Sequence, residues 1–350
     1  MTVRWRTSSA GTNDRSFRVR VLRVFWNAIV FGVALFLTAC DGIQSSLEPA
    51  GREAEQIARL FWWMTAGAVV VWIAVVGLGI YAVQTQSATA RRSMFMVVGG
   101  GAVVPTFVLG VLLVYGLWML PGLTAATPEG SRRIYVSGEQ WWWRVRYEWT
   151  EGEQRELISL ANEVRLPVGE PVEFILESSN VIHSFWIPSL GGKRDLIPGR
   201  VTRLTLTPTR TGTFRGACAE YCGVSHALMS FYVIVTEKEE FSRWLENQRA
   251  PARPPETEPE RRGQEQFLAN GCGACHAIRG TPAAGAIGPD LTHVGSRLSL
   301  SAGILTNEPT AFRQWIAHPG QVKPGAQMPS FAMLPDESQE ALAAYLESLK

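Results

Sequence analysis

Three features of the 350-residue sequence predict a multidomain chain with two transmembrane helices, an all-β sandwich and a small all-α domain. Two long apolar runs fill much of the first third. A central segment reads as short strands broken by Gly, Pro, Asn and Ser, and a Pro-rich charged stretch separates it from a last segment with helical spacing at both ends. Several domains are expected in any case, because single cores stop growing near roughly 250 residues. The composition, 46% hydrophobic with 13 Trp and only 18% charged, places membrane segments beside a soluble part. Lys and Arg number 33 against 31 Asp and Glu, and the net charge of +2 gives no reason to expect nucleic acid as a partner.

Residues 1–39 read as a signal peptide. An Arg-rich start precedes VFWNAIVFGVALFLTAC, whose apolar core of about 14 residues is short for a bilayer but suits a secretory signal. Its end, Leu37-Thr38-Ala39-Cys40, resembles the lipobox of bacterial lipoproteins, which would make Cys40 a lipidated N-terminus. A buried Cys at the end of an uncleaved anchor is the plainer alternative.

Residues 40–124 are expected to form the transmembrane hairpin, with helices at 61–83 and 94–120, each near or above the roughly 20 residues a span needs. Arg91 and Arg92 in the QTQSATARR connection would face the cytoplasm by the positive-inside rule. Everything after Pro121 then lies on the periplasmic side of a bacterial inner membrane.

From 125 to 248 the strand language takes over: RIYVSGEQWWWRVRYEW, PVEFILES, RVTRLTLTP with Val201, Leu204 and Leu206, then SFYVIVTE, closed by a helix in EEFSRWLENQ. RAPARPPETEPERR, residues 249–262, is too charged and Pro-rich to pack a core and should act as a semi-rigid linker. The final domain, 263–350, places Leu342, Tyr345, Leu346 and Leu349 on one helical face.

The five cysteines stand at 40, 218, 222, 272 and 275, a poor framework for long-range disulfides but a good one for metals and haem. GACAEYCGVSHALMS, residues 216–230, gathers Cys218, Cys222, His226 and Met229. Thiolate and thioether are soft donors and imidazole is borderline, which favours copper. A disulfide would leave the imidazole and thioether without a role. Zinc stays a rival because His183 could be its fourth ligand, although zinc sites use Cys, His and carboxylates rather than thioether. A second cysteine in the loop also exceeds the single Cys of a blue-copper site and suggests two coppers sharing thiolates.

The string CAEYCGVSHALM resembles the dinuclear copper loop, CuA, of cytochrome c oxidase subunit II. NVIHSFWIPSLGGKRDLIPGR is similar to that family's segment for the first histidine ligand, and GEQWWWRVRYEW to its aromatic segment. The resemblance implies a cupredoxin-like sandwich in which Cys218 and Cys222 bridge both coppers. His183 and His226 would bind one copper each, and Met229 and the Glu220 carbonyl would complete the set. It further implies that the Glu220 carboxylate links to a magnesium ion shared with subunit I, and that Trp141 passes electrons into copper. Two departures, Asn180 for a common Asp and Ser230 for the usual Pro after the methionine, should tune the site only slightly. A third is larger. MFMVVGGGAVVPTF stands in the second helix where the family carries a Glu at its proton-path entrance.

CGACH, Cys272 to His276, is a c-type haem attachment site: each thiol can form a thioether to a haem vinyl and His276 then lies under the iron. A redox dithiol needs neither the histidine nor this helical context. For the distal ligand Met328, Met333, His293 and His318 compete. KPGAQMP resembles the distal loop of class I cytochromes c, which selects Met328 and leaves Met333 for the core, His293 packed or hydrogen-bonded near the haem, and His318 on the surface.

By this resemblance the chain is the electron-input subunit of a haem-copper terminal oxidase, subunit II with a fused cytochrome c as in caa-type oxidases. Electrons would pass from an external donor, a soluble cytochrome c or a quinol-oxidising complex, through haem c and CuA to subunit I, where oxygen is reduced and protons are pumped. Subunits I and III would be its partners. The altered second helix keeps open the input subunit of a CuA-containing nitric oxide reductase. A copper-delivery protein needs no covalent haem, and a quinol oxidase subunit would lack the copper cysteines. No residue reads as a catalytic acid, base or nucleophile.

Overall fold

The computed structural model describes Asn27 and residues 42–84, 94–124, 127–151 and 154–350. The signal peptide, Cys40, Arg91 and Arg92 lie outside the described residues.

Helix α1 is Arg52–Gln84, 33 residues or about 50 Å at 1.5 Å per residue, well beyond a hydrocarbon core of roughly 30 Å. It starts earlier than the expected 61 because its first turns dock on the sandwich. Ala50, Ala54 and Ala58 are buried there, and the Glu53 carboxylate accepts from Thr207 N (2.9 Å) and Oγ1 (3.2 Å). The second run opens as a π-helix, Met96–Val103, across three consecutive glycines, and continues as α2, Val104–Thr124. Both are long and apolar enough to cross a membrane, and Trp63 and Trp118 are 72% and 75% exposed on them, an outward apolar surface that suits lipid.

The strands build a two-sheet sandwich. One sheet runs β3-β2-β1-β5-β8 with β1 Arg132–Glu139, β2 Trp142–Glu151, β3 Gln154–Ala161, β5 Val172–Ser178 and β8 Thr202–Leu206. The other runs β4-β10-β9-β6-β7 with β4 Glu163–Pro167, β6 His183–Trp186, β7 Arg194–Leu196, β9 Gly212–Cys218 and β10 Ser230–Thr236. Alternation along β2 sends Trp143, Val145 and Tyr147 fully inward. Trp143, Phe185 and Phe231 form the aromatic centre, the last two stacked with centroids 4.8 Å apart. Each such ring contributes roughly 1.5–3 kcal/mol by its burial. Position 216 must be glycine, since a Cβ there would fall 2.1 Å from Phe231 Cζ. Val201, expected in β8, precedes the strand and is exposed. Helix α3, Lys238–Arg249, closes the sandwich with buried Phe241 and Leu245.

The stretch 249–262 is more than a spacer. Helix α4, Glu258–Ala269, already begins inside it, with Thr257 Oγ1 accepting from Glu260 N at 3.4 Å, proline in the first turn and two acidic residues beside it. That sequence satisfies the free N–H groups and the dipole of a helix start. Arg253 then clamps the stretch to the domain by pairing with Glu260 at 3.1 Å and donating to Ser348 O at 2.9 Å. The last domain adds α5 Pro309–Ala317, the short α6 Pro319–Val322 and α7 Asp336–Ser348. Leu342, Tyr345, Leu346 and Leu349 are all buried, and α4 crosses α7 so closely that a Cβ on Gly263 would sit 2.0 Å from Ala341 O.

Candidate copper and haem centres

Strand β9 delivers Cys218 to the top of the sandwich, and the loop that follows returns to β10 with Cys218 N bonded to Met229 O at 2.9 Å. Closing the loop this way brings together ligand types that the sequence spreads over twelve positions. The two Sγ atoms are 3.8 Å apart, far beyond the ~2.05 Å of a disulfide. Cys218 Sγ lies 3.2 Å from Glu220 O and 3.8 Å from His183 Nδ1, while Cys222 Sγ lies 3.6 Å from His226 Nδ1 and 3.8 Å from Met229 Sδ. His183, Cys218, Cys222 and Met229 are buried. His183 enters from β6, where its ring rests on Gly138 so tightly that a Cβ there would approach Cδ2 to 2.7 Å.

Electrostatics fit a cation. The contact with Cys222 holds the Cys218 pKa far below its ordinary value, and the same contact, with burial, pushes Cys222 up. Two thiolates at this separation repel unless positive charge lies between them. His183 Nε2 donates to Asn180 Oδ1 at 3.1 Å, which fixes the tautomer with Nδ1 free toward the sulfur. Asn180→Ala should therefore weaken copper binding about 10- to 100-fold in competition with a chelator. Unchanged affinity would contradict the orienting role.

The Glu220 carboxylate points away, half exposed, to Lys193 Nζ at 3.4 Å. Trp141 is 9% exposed and donates Nε1–H to Cys222 O at 3.0 Å. Gln140, which sequence reasoning missed, donates to the same carbonyl at 2.8 Å. Its position next to the tryptophan was the only signal.

A cavity of ≈ 250 Å³ is lined by Cys272, Cys275, His276, Met328, Arg297 and Trp315, with Trp141 and Trp142 of the sandwich at its wall. His276 Nδ1 donates to Pro289 O at 2.8 Å, leaving Nε2 for iron, and burial lowers its pKa so that the imidazole is neutral, as ligation requires. Gly288 lets the ring in, since a Cβ would stand 2.6 Å from His276 Cε1. Burial also raises the Cys272 pKa. These donors and this apolar cradle fit a covalently attached haem.

Met328 packs against the domain core at the cavity, whereas Met333 is 76% exposed and does not line it. The expectation that Met333 fills the core is thus corrected: it follows the cavity loop on a surface turn. His318 is exposed as expected, and His293 is buried with Nε2 donating to Ala250 O at 3.0 Å. Arg297, also missed, is a half-buried guanidinium on the cavity wall that donates to Asp290 O and suits an acidic haem substituent.

A sandwich with this buried soft-donor loop, joined on one membrane-tethered chain to a haem-cradling helical domain, defines the class of electron-transfer metalloproteins. The family described as cytochrome c oxidase subunit II, periplasmic domain, matches residues 133–237, and that described as cytochrome c matches residues 260–350. Cytochrome c oxidase subunit 2 of Alkalihalophilus pseudofirmus is 32% identical over 343 residues, covering 91% of this chain and 95% of the relative. That of Bacillus sp. strain PS3 is 34% identical over 227 residues, 62% of each chain. The crystal structure of the periplasmic domain of subunit II of cytochrome oxidase of Bradyrhizobium japonicum is 29% identical, covering 35% of this chain and 96% of that one, with a TM-score of 0.30. The chain belongs to the cytochrome c oxidase subunit II family and carries a C-terminal cytochrome c domain.

Proposed function

We propose that the chain is the electron-input subunit of a haem-copper terminal oxidase, accepting electrons from an external donor at the haem domain and passing them by way of the copper loop to subunit I. The observation that carries this reading is the convergence of Cys218, Cys222, His183, His226, Met229 and the Glu220 carbonyl, with Trp141 standing between that cluster and the haem cavity. Bound copper and haem would supply the one-electron chemistry. The chain's own residues hold, orient and insulate them.

Cys218, Cys222, His183, His226, Met229 and the Glu220 carbonyl would hold the copper pair, the two thiolates shared between the ions and one imidazole given to each. Cys272 and Cys275 would attach the haem through their thiols, and His276 and Met328 would ligate its iron. The Glu220 carboxylate would share a magnesium ion with subunit I. Subunit III, a soluble cytochrome c or quinol-oxidising donor, and an inner membrane with both redox domains on the periplasmic side complete the proposal, with Cys40 as a lipid anchor. The relatives are named as oxidase subunits, so nothing favours the nitric oxide reductase alternative despite the glycine-rich second helix.

The assembled complex should consume oxygen, and not nitric oxide, when given reduced soluble cytochrome c. Nitric oxide consumption without oxygen uptake, recorded with paired electrodes, would reverse that conclusion.

A further inference from the structure

We propose that Lys323 and Ser230 latch the cytochrome domain onto the Trp141 face of the sandwich, closing that face to any other protein. The inference rests on reading the copper loop and haem cavity as electron carriers, and adds how the two are held together. Domains joined by a linker are by default free to move. Here the contacts are those of a seated joint.

Lys323, in the cytochrome domain, is 4% exposed, and its Nζ donates to Trp141 O at 2.8 Å in the sandwich and to Ser301 O at 2.9 Å in its own domain. An ammonium taken out of water is costly unless its donors are used, and half of this bonding exists only when the domains touch. Ser230 bonds the next carbonyl along the same turn. Its N–H (3.2 Å) and its hydroxyl (2.9 Å) both donate to Ala302 O. A proline at 230, the usual residue in the family, could give neither bond. The substitution expected to tune the copper site slightly thus has a different use, since the oxygen also touches Gly303, where a Cβ would fall 2.4 Å from Ser230 Oγ.

Further bonds cross the same boundary. Ser225 Oγ donates to Pro324 O at 2.6 Å, Leu298 N to Glu163 Oε2 at 2.8 Å, and Arg215 Nη2 to Gly303 O at 3.1 Å. At their centre the Trp141 indole is clasped between Gly223 and Gly325, whose Cβ atoms would stand 3.0 and 2.7 Å from it. An outside protein therefore finds no indole edge to meet. Each electron given up by a donor protein enters at the haem cavity, and the same electron leaves it for the copper loop, so donor oxidation and copper reduction balance one to one.

Hydrogen exchange on the full chain tests the latch. The amides of Ser230 and Leu298, which donate across the boundary, should be protected like that of Val233 inside β10. In Lys323→Met both should exchange about tenfold faster, the size expected for losing one buried hydrogen bond from a charged donor, with Val233 and the metal spectra unchanged. Exchange at Ser230 and Leu298 as fast as at open loops in the unaltered chain would overturn the proposal, as would rates in Lys323→Met within twofold of it. Should Lys323→Met fail to fold, Ser230→Ala, which removes only the hydroxyl, should accelerate the Leu298 amide, and no change there would count equally against the latch. Rapid mixing with a soluble cytochrome supplies the second readout. Copper reduction should trail haem reduction at a rate independent of donor concentration, and a copper phase proportional to donor concentration in the unaltered chain would show an open Trp141 face. Exchange is compared between the unaltered chain and its variants at equal copper and haem content and reads no electron transfer, so failure of the electron-carrier reading would leave that arm intact.

Discussion

Cys222→Ser should leave one copper per chain at most and lower electron delivery to oxygen by more than about a hundredfold, because loss of an outer-shell partner alone costs 10- to 100-fold and Cys222 is proposed as a ligand of both coppers. Its sulfur lies within 3.8 Å of Cys218 Sγ and Met229 Sδ and 3.6 Å from His226 Nδ1, so like Cys218 it touches three members of the cluster. A serine hydroxyl is a hard donor that copper takes poorly. What remains, one thiolate with imidazole and thioether, is the ligand set of a single blue copper. Metal analysis and oxygen uptake measure both halves. Two coppers retained with normal uptake would remove Cys222 from the ligand set. Cys222 is 3% exposed, so the variant's thermal unfolding must be checked alongside.

Met328→Ala should lower the potential of the cytochrome domain and change its axial ligation, while Met333→Ala should do neither. Thioether ligation opposite histidine raises a haem potential, and axial ligands together span roughly 0.8 V. The contrast is built into the loop that follows α6: Met328 turns into the cavity beside Phe331, and Met333 ends on the surface. Redox titration followed at the haem absorption bands distinguishes them. A fall in potential on changing Met333 alone would show that the loop seats the other methionine.

Much of this was legible because the chemistry is local. The CGACH run and the loop from Cys218 to Met229 carry most of their ligands on a few consecutive residues, so spacing and donor type suffice. The strands were legible from alternation, as in Trp143, Val145 and Tyr147. What spacing could not separate was copper from zinc or a disulfide; the 3.8 Å sulfur separation and the buried Met229 needed the fold. The start of α1 at Arg52 was hidden because its first turns are amphipathic and dock on Leu190 and Thr207, which hydropathy does not register. The docked boundary was invisible for a deeper reason. Lys323 in KPG reads as a solvated loop lysine, and only contact with Trp141, far away in sequence, gives it a partner. Ser230 was seen as a departure, but its use depends on Ala302 in another domain.

The most direct test of the account is electron paramagnetic resonance of the copper-loaded full-length chain in its partly reduced state. One unpaired electron shared equally by two coppers is the predicted spectrum, since Cys218 and Cys222 stand close enough to bridge a pair while His183 lies against one sulfur and His226 against the other. A spectrum from one isolated copper, or stoichiometric zinc with no copper signal, would contradict it.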